Sequence, residues 1–254
     1  PPREAGPPGV RAPEARGVRL LVGHHRRYNP RVEATRELLQ RGELGRLVAV
    51  NAVWAVRKPD DYFVAWRRTA GGGPILINMI HDVDCLRHFC GEIAEVQAYG
   101  SSAVRGFEVE DTAAVAIRFA SGALGTVTLT DAAPSPWGWE AGSGDNPNIA
   151  ASDENCYRFL GTDAALDFPN LTVWRGAGPK PASWAEKVFP RKLDWAGHEA
   201  LPRQLEHFLE VIAGTAAPRI DGRDGLATLA ATLAIKDAIH SGGAARPAAP
   251  PPAP

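Results

Sequence analysis

The sequence predicts an α+β fold: an open, mostly antiparallel sheet with helices on one face. Three observations carry this. First, β-rich runs at Leu47–Val56, Glu95–Val104, Thr112–Ala120, Gly125–Thr130, Cys156–Leu160 and around Leu166–Trp174 mostly follow one another instead of alternating with helices. Second, Ser121-Gly122 and Gly161-Thr162-Asp163 are turns short enough to join antiparallel neighbours. Third, the last two helical patterns, Leu201–Ala213 with Pro202 in its first turn and Arg223–His240, come after all the strands.

In chain order, residues 1–17 and 243–254 are Pro-, Gly- and Ala-rich with almost no large apolar side chains, and are expected to be disordered tails. Val18–Gly23 is expected to be a short strand, followed by the polar loop His24-His25-Arg26-Arg27-Tyr28-Asn29-Pro30. Arg31–Gln40 alternates apolar and charged positions and ends before Gly42, as an amphipathic helix does. The strand at Leu47–Val56 follows, then a triple glycine and a helix over residues 75–90. Residues 131–154 have no period but carry two tryptophans, as a functional long loop would.

Composition excludes several function classes. The 254 residues hold 28 Lys+Arg against 29 Asp+Glu, so no net charge draws the chain to nucleic acid or anionic lipid, and no apolar run approaches the ~18 residues of a membrane span. Three cysteines, Cys85, Cys90 and Cys156, are too few and odd in number for a disulfide framework, and fit a reducing cytoplasm. No secretory signal stands at the start shown.

The chemistry is expected on the helix after the glycines. At about 100° per residue, Leu76, Met79, Ile80, Val83, Leu86 and Cys90 gather on one face, and Asn78, His81, Asp84, Cys85 and His88 on the other. Three readings of that polar face stand open. It is a solvated helix surface, or His81, Cys85 and His88 converge with Asp84 on a metal, or His81 is a general acid/base beside Asn78. No second ligand cluster supports the metal reading. The glycines also allow a ligand or another backbone to approach the helix start.

Four segments, LLVGHHRRYNP, GGGPILINMIHDVDCLRHFCGE, SPWGWEAGSGDNPN and GTDAALDFPNLTVW, resemble in this order the substrate-binding half of the glucose-fructose oxidoreductase / inositol dehydrogenase (Gfo/Idh/MocA) family. The resemblance runs from about Val18 to about Gly242. It implies a remnant of the nucleotide-binding domain over residues 18–30, with the last Rossmann strand at Val18–Gly23, and an α+β substrate and oligomerisation domain over 31–242. It further implies NAD or NADP as cofactor, oxidation of a secondary alcohol on a sugar, cyclitol or polyol, and a homo-oligomer formed through the sheet face. His81 falls on the family's catalytic histidine. Ile77 occupies the place of an aspartate that many members have four residues earlier, and Asn78 is its expected substitute. Arg26 and Arg27 match the crossover beside the cofactor; Tyr28, Trp66, Trp137, Trp139 and Glu140 are expected around the substrate.

No G-x-G-x-x-G stands in the sequence, and the family's Glu-Lys-Pro lysine has no counterpart, since Lys58-Pro59 follows Arg57 and the wrong strand. The expectation is therefore a truncated member needing a cofactor half. The alternative is a non-catalytic binding or oligomerisation module with a vestigial pocket.

Overall fold

The computed structural model describes residues 17–195, 197 and 199–249; the expected tail over residues 1–16 and its counterpart over 250–254 lie outside these. One eight-stranded sheet is built from β1 (Leu47–Ala55), β2 (Ile93–Ser101), β3 (Thr112–Phe119), β4 (Leu124–Thr130), β5 (Tyr157–Gly161), β6 (Ala165–Phe168), β7 (Thr172–Gly176) and β8 (Val188–Lys192). The spatial order is β2-β3-β4-β1-β5-β6-β7-β8. Only β1 and β4 run parallel; every other neighbouring pair is antiparallel.

Burial alternates with period two, as a half-covered sheet requires. Val50, Ala52 and Trp54 of β1, Val115 and Ile117 of β3 and Val127 and Leu129 of β4 point into the core, whereas Thr126 and Thr128 are exposed. The helices α1 (Pro30–Gln40), α2 (Ile80–Cys90), α4 (Ala200–Ala213) and α5 (Gly222–Ser241) accompany it, and a five-residue α3 (Trp139–Ser143) lies inside the long loop. Val32 and Leu38 of α1, Val83 and Leu86 of α2, and Ala234 and Ile235 of α5 share one hydrophobic core with the inward strand residues. The other sheet face stays open, with Leu124 and Leu160 about half exposed.

Four local expectations need correction. Val18–Gly23 is not a strand: its Val22 N–H donates to the Ile220 carbonyl at 2.9 Å, but among the described residues no strand pairs with it in a ladder. Residues 243–249 are not a loose tail. Ala245 exchanges two backbone hydrogen bonds with Val96 on the edge strand β2, satisfying groups that an edge leaves unpaired. The run around Leu166–Trp174 is two strands, because Leu171 takes a left-handed φ of 54° between them. β8 was not expected at all.

The helix after the glycines opens with a π turn, Ile75–Met79, in which the Ile80 N–H reaches back to the Ile75 carbonyl. Its approach is closed by Glu110, whose Oε1 accepts the Ile75 N–H at 3.1 Å. Gly73, at φ 85°, passes so near this carboxylate that a Cβ would lie 2.6 Å from Oε1. The close approach expected of the triple glycine is thus made by a side chain of the same protein.

Candidate active site

The expected polar face of α2 is not solvated. Of its expected members Asp84 and Cys85 are buried and Asn78, His81 and His88 half-buried; Asp82 and Arg87 are buried beside them, and a 3-10 turn at His25–Tyr28 lies against the helix. Its two arginines reach successive carboxylates of α2. Arg26 donates to Asp82 Oδ1 at 3.0 Å and to Glu140 Oε1 at 2.7 Å. Arg27 forms a two-pronged pair with Asp84, at 2.8 and 2.6 Å, and reaches Asp224 Oδ2 at 2.6 Å. Tyr157 also donates to Asp82 Oδ1. Such forked pairs hold buried charge well because both charges are hydrogen-bonded as well as opposed.

His81 sits just past the π turn. The rings of His24 and His25 meet it edge-on at centroid distances of 5.8 and 5.6 Å. Burial pushes the His81 imidazolium down to about 3, and Arg26 and the two histidines add to the shift while Glu140 opposes it. The ring is neutral at neutral pH, so a lone pair is available as a proton acceptor. Its Nδ1 is buried without a hydrogen-bond partner among the described residues.

A cavity of about 710 Å³ is lined by Trp54, Lys58, Tyr62, Asn78, Glu140 and part of the long loop; His81 is not among its lining residues. Asn78 Oδ1 accepts from Lys58 Nζ at 2.6 Å. Glu140 Oε2 accepts from Trp54 Nε1 at 2.9 Å. Burial alone would raise the Glu140 carboxyl, yet Arg26 and Trp54 bring it below its usual range. Lys58 lies 3.5 Å from Asp131 and 4.6 Å above the Tyr62 ring; burial lowers its ammonium, against the pull of Asp131.

Of the residues singled out from sequence, Asn78 and Glu140 line the cavity, and His81 is one helical turn beyond Asn78. Trp139 does not form a wall there: it is 1% exposed and stacks on Phe168 at 5.4 Å, anchoring the loop. Trp137 and Trp66 are exposed at 46% and 54%, outside the cavity lining. Tyr28 is buried with Ala200 and Ile220, and its ring meets His207 at 5.5 Å. Sequence reasoning set Lys58 aside; its available signal was a lysine directly past a buried aromatic strand end. No cluster of three or more metal-ligating side chains occurs among the described residues.

A family profile described as the GFO/IDH/MocA C-terminal domain matches residues 32–167. The chain belongs to the Gfo/Idh/MocA family. Among its family relatives, the 1,5-anhydro-D-fructose reductase of Ensifer adhaerens is 31% identical over 241 residues, 93% of this chain and 66% of the reductase. The myo-inositol 2-dehydrogenase of Thermotoga maritima is 34% identical over 119 residues, covering 43% of this chain and 34% of that enzyme. This Gfo/Idh/MocA chain therefore spans about two thirds or less of the relatives it matches. Among solved structures, a putative NADPH-dependent oxidoreductase from Desulfitobacterium hafniense superposes with a TM-score of 0.76 at 18% identity, covering 93% of this chain and 67% of that one. The WlbA dehydrogenase of Bordetella pertussis, in complex with NADH and UDP-GlcNAcA, superposes with a TM-score of 0.68 at 23% identity, covering 96% and 66%. These likenesses show the fold.

Proposed function

We propose that this chain is the substrate-binding part of an NAD(P)-dependent oxidoreductase that oxidises a secondary alcohol on a sugar, cyclitol or related small molecule. The supporting observation is the cavity on which Asn78 and Glu140 meet, one turn from a neutral, partly unsatisfied His81. A polyol offers apolar C–H faces and a rim of hydroxyls, which suits the Trp54 and Tyr62 rings beside Asn78, Glu140 and Lys58.

In this reading Asn78 and Lys58 orient the hydroxyls and His81 accepts the alcohol proton. Arg26, though it disfavours imidazolium, holds Glu140 close enough to stabilise it. NAD or NADP supplies the hydride acceptor. Arg26 and Arg27 are engaged by carboxylates, and no glycine-rich strand-to-helix turn stands among the described residues, so these do not by themselves form a dinucleotide site. In this reading the open sheet face is where copies of the chain meet.

Calorimetric titration of this chain with myo-inositol, glucitol and glucose tests the reading. Binding of at least one, weakened by Asn78→Ala, is the expected result; no binding of any would overturn it. With a nucleotide-binding domain joined to the chain, His81→Ala should lower kcat by roughly 10²–10⁴.

A further inference from the structure

Charge is unevenly matched around the cavity. Lys58 shares the buried carboxylate of Asp131 with Arg105, whose Nε donates to Asp131 Oδ1 at 2.8 Å, closer than Lys58 at 3.5 Å. One buried anion thus faces two cations. Arg67 adds a further positive charge that, with Arg105, opposes protonation of Lys58. Arg57, also on the wall, donates to the Ala132 carbonyl at 3.1 Å and has no carboxylate partner among the described residues. Asp60 lies 3.7 Å from Arg105, but its side chain is 90% exposed and its charge is screened by solvent.

The carboxylate at the other side of the cavity gives no relief. Both oxygens of Glu140 are already engaged, by Arg26 and by Trp54. The Lys58 ammonium has three N–H groups, of which Asn78 takes one and Asp131, at a longer distance, a second. A buried cation short of counter-charge is costly, and an anion brought by the ligand removes that cost.

We propose that Lys58 and Arg57, at the end of β1, form a carboxylate subsite, and that the substrate is an acidic sugar or polyol whose carboxylate rests on Lys58 with its hydroxyls toward Asn78 and Glu140. The inference rests on the polyol reading of the same cavity and narrows it. A single carboxylate suits a wall with one deeply buried cation whose counter-ion is shared with Arg105; a phosphate dianion calls for more donors than this wall presents.

Titrating the chain with gluconate, glucitol and glucose 6-phosphate at equal ionic strength tests it. Gluconate and glucitol are open six-carbon chains that differ only at C1, and glucose 6-phosphate is a six-carbon ring that carries a phosphate instead of a carboxylate. Gluconate should bind at least tenfold more tightly than glucitol, Lys58→Met should erase that margin, and Lys58→Arg should keep most of it. Arg57→Gln, at an exposed position, should reduce the margin by a few fold without affecting folding. Glucitol binding as tightly as gluconate, glucose 6-phosphate binding most tightly, or a gluconate preference that survives Lys58→Met would each overturn the subsite while leaving the polyol site standing. Failure of all three probes, together with neutral cyclitols, would overturn both.

Discussion

Two groups of buried charge lie on either side of the π turn, and they are finished to different degrees. Around Arg26 and Arg27, the carboxylates of Asp82, Asp84, Asp224 and Glu140 are met by guanidinium groups, with Tyr157 and Thr228 adding hydrogen bonds. Around Lys58, cations outnumber buried carboxylates and one ammonium borders a cavity. Charge that is paired holds the 25–28 turn against α2, although Arg26 Nε and Asp82 Oδ2 keep no hydrogen-bond partner among the described residues. Charge left over marks where a ligand has something to add.

The sharpest way to break this comparison is to remove Arg26. Arg26→Met strands Asp82 and Glu140 in the interior and should lower unfolding free energy by about 3–5 kcal/mol in urea titrations. A loss below about 1 kcal/mol would mean that the pairs are not structural.

Acid should act next. His81 and His88 are held neutral by burial, at about 3 and about 4 against a usual 6.5, so the unfolded chain binds protons that the folded chain refuses. Their contribution is complete above pH 6.5 and is lost as pH falls toward 4 and 3. Stability at pH 5 should fall below that at pH 7, by roughly 1–2 kcal/mol from His81. In His81→Gln the fall should be shallower; an unchanged slope would place the His81 ring in water.

Lys58→Met should cost under about 1 kcal/mol, because Asp131 keeps Arg105 and the desolvated ammonium is gone. A loss as large as that of Arg26→Met would erase the distinction between the two groups. The smallest effect belongs to Trp137→Ala, within about 0.5 kcal/mol as for other exposed positions, whatever it does to ligand binding.

Most of the sheet was legible because a half-covered strand writes its burial into alternate residues, as in Thr112–Phe119. β8 was not, since Val188–Lys192 is exposed at all five positions and contains Pro190, which only an edge strand tolerates. Val18–Gly23 failed in the opposite direction: its composition is that of a strand, but a strand also needs a neighbour. Residue types put Asn78 and His81 on the segment after the glycines and Glu140 in the long loop, where the structure has them. They did not separate Trp139, which anchors the loop in the core, from Trp137 on the surface two residues earlier. Nor did they raise Lys58, because its distinction is a counter-charge shared with Arg105, and that is a property of three-dimensional neighbours alone.

The π turn at Ile75–Met79 carries one residue more per turn than an α-helix does, and each residue turns a helix by about 100°. It therefore works as an index, setting the angle between whatever precedes it and His81. Removing Met79, the residue of this turn that lies between Asn78 and His81, would leave composition and helix length almost untouched, yet would rotate Asn78 relative to His81 by about 100°. The spacing of these two side chains is thus set by a count of residues as well as by their identity.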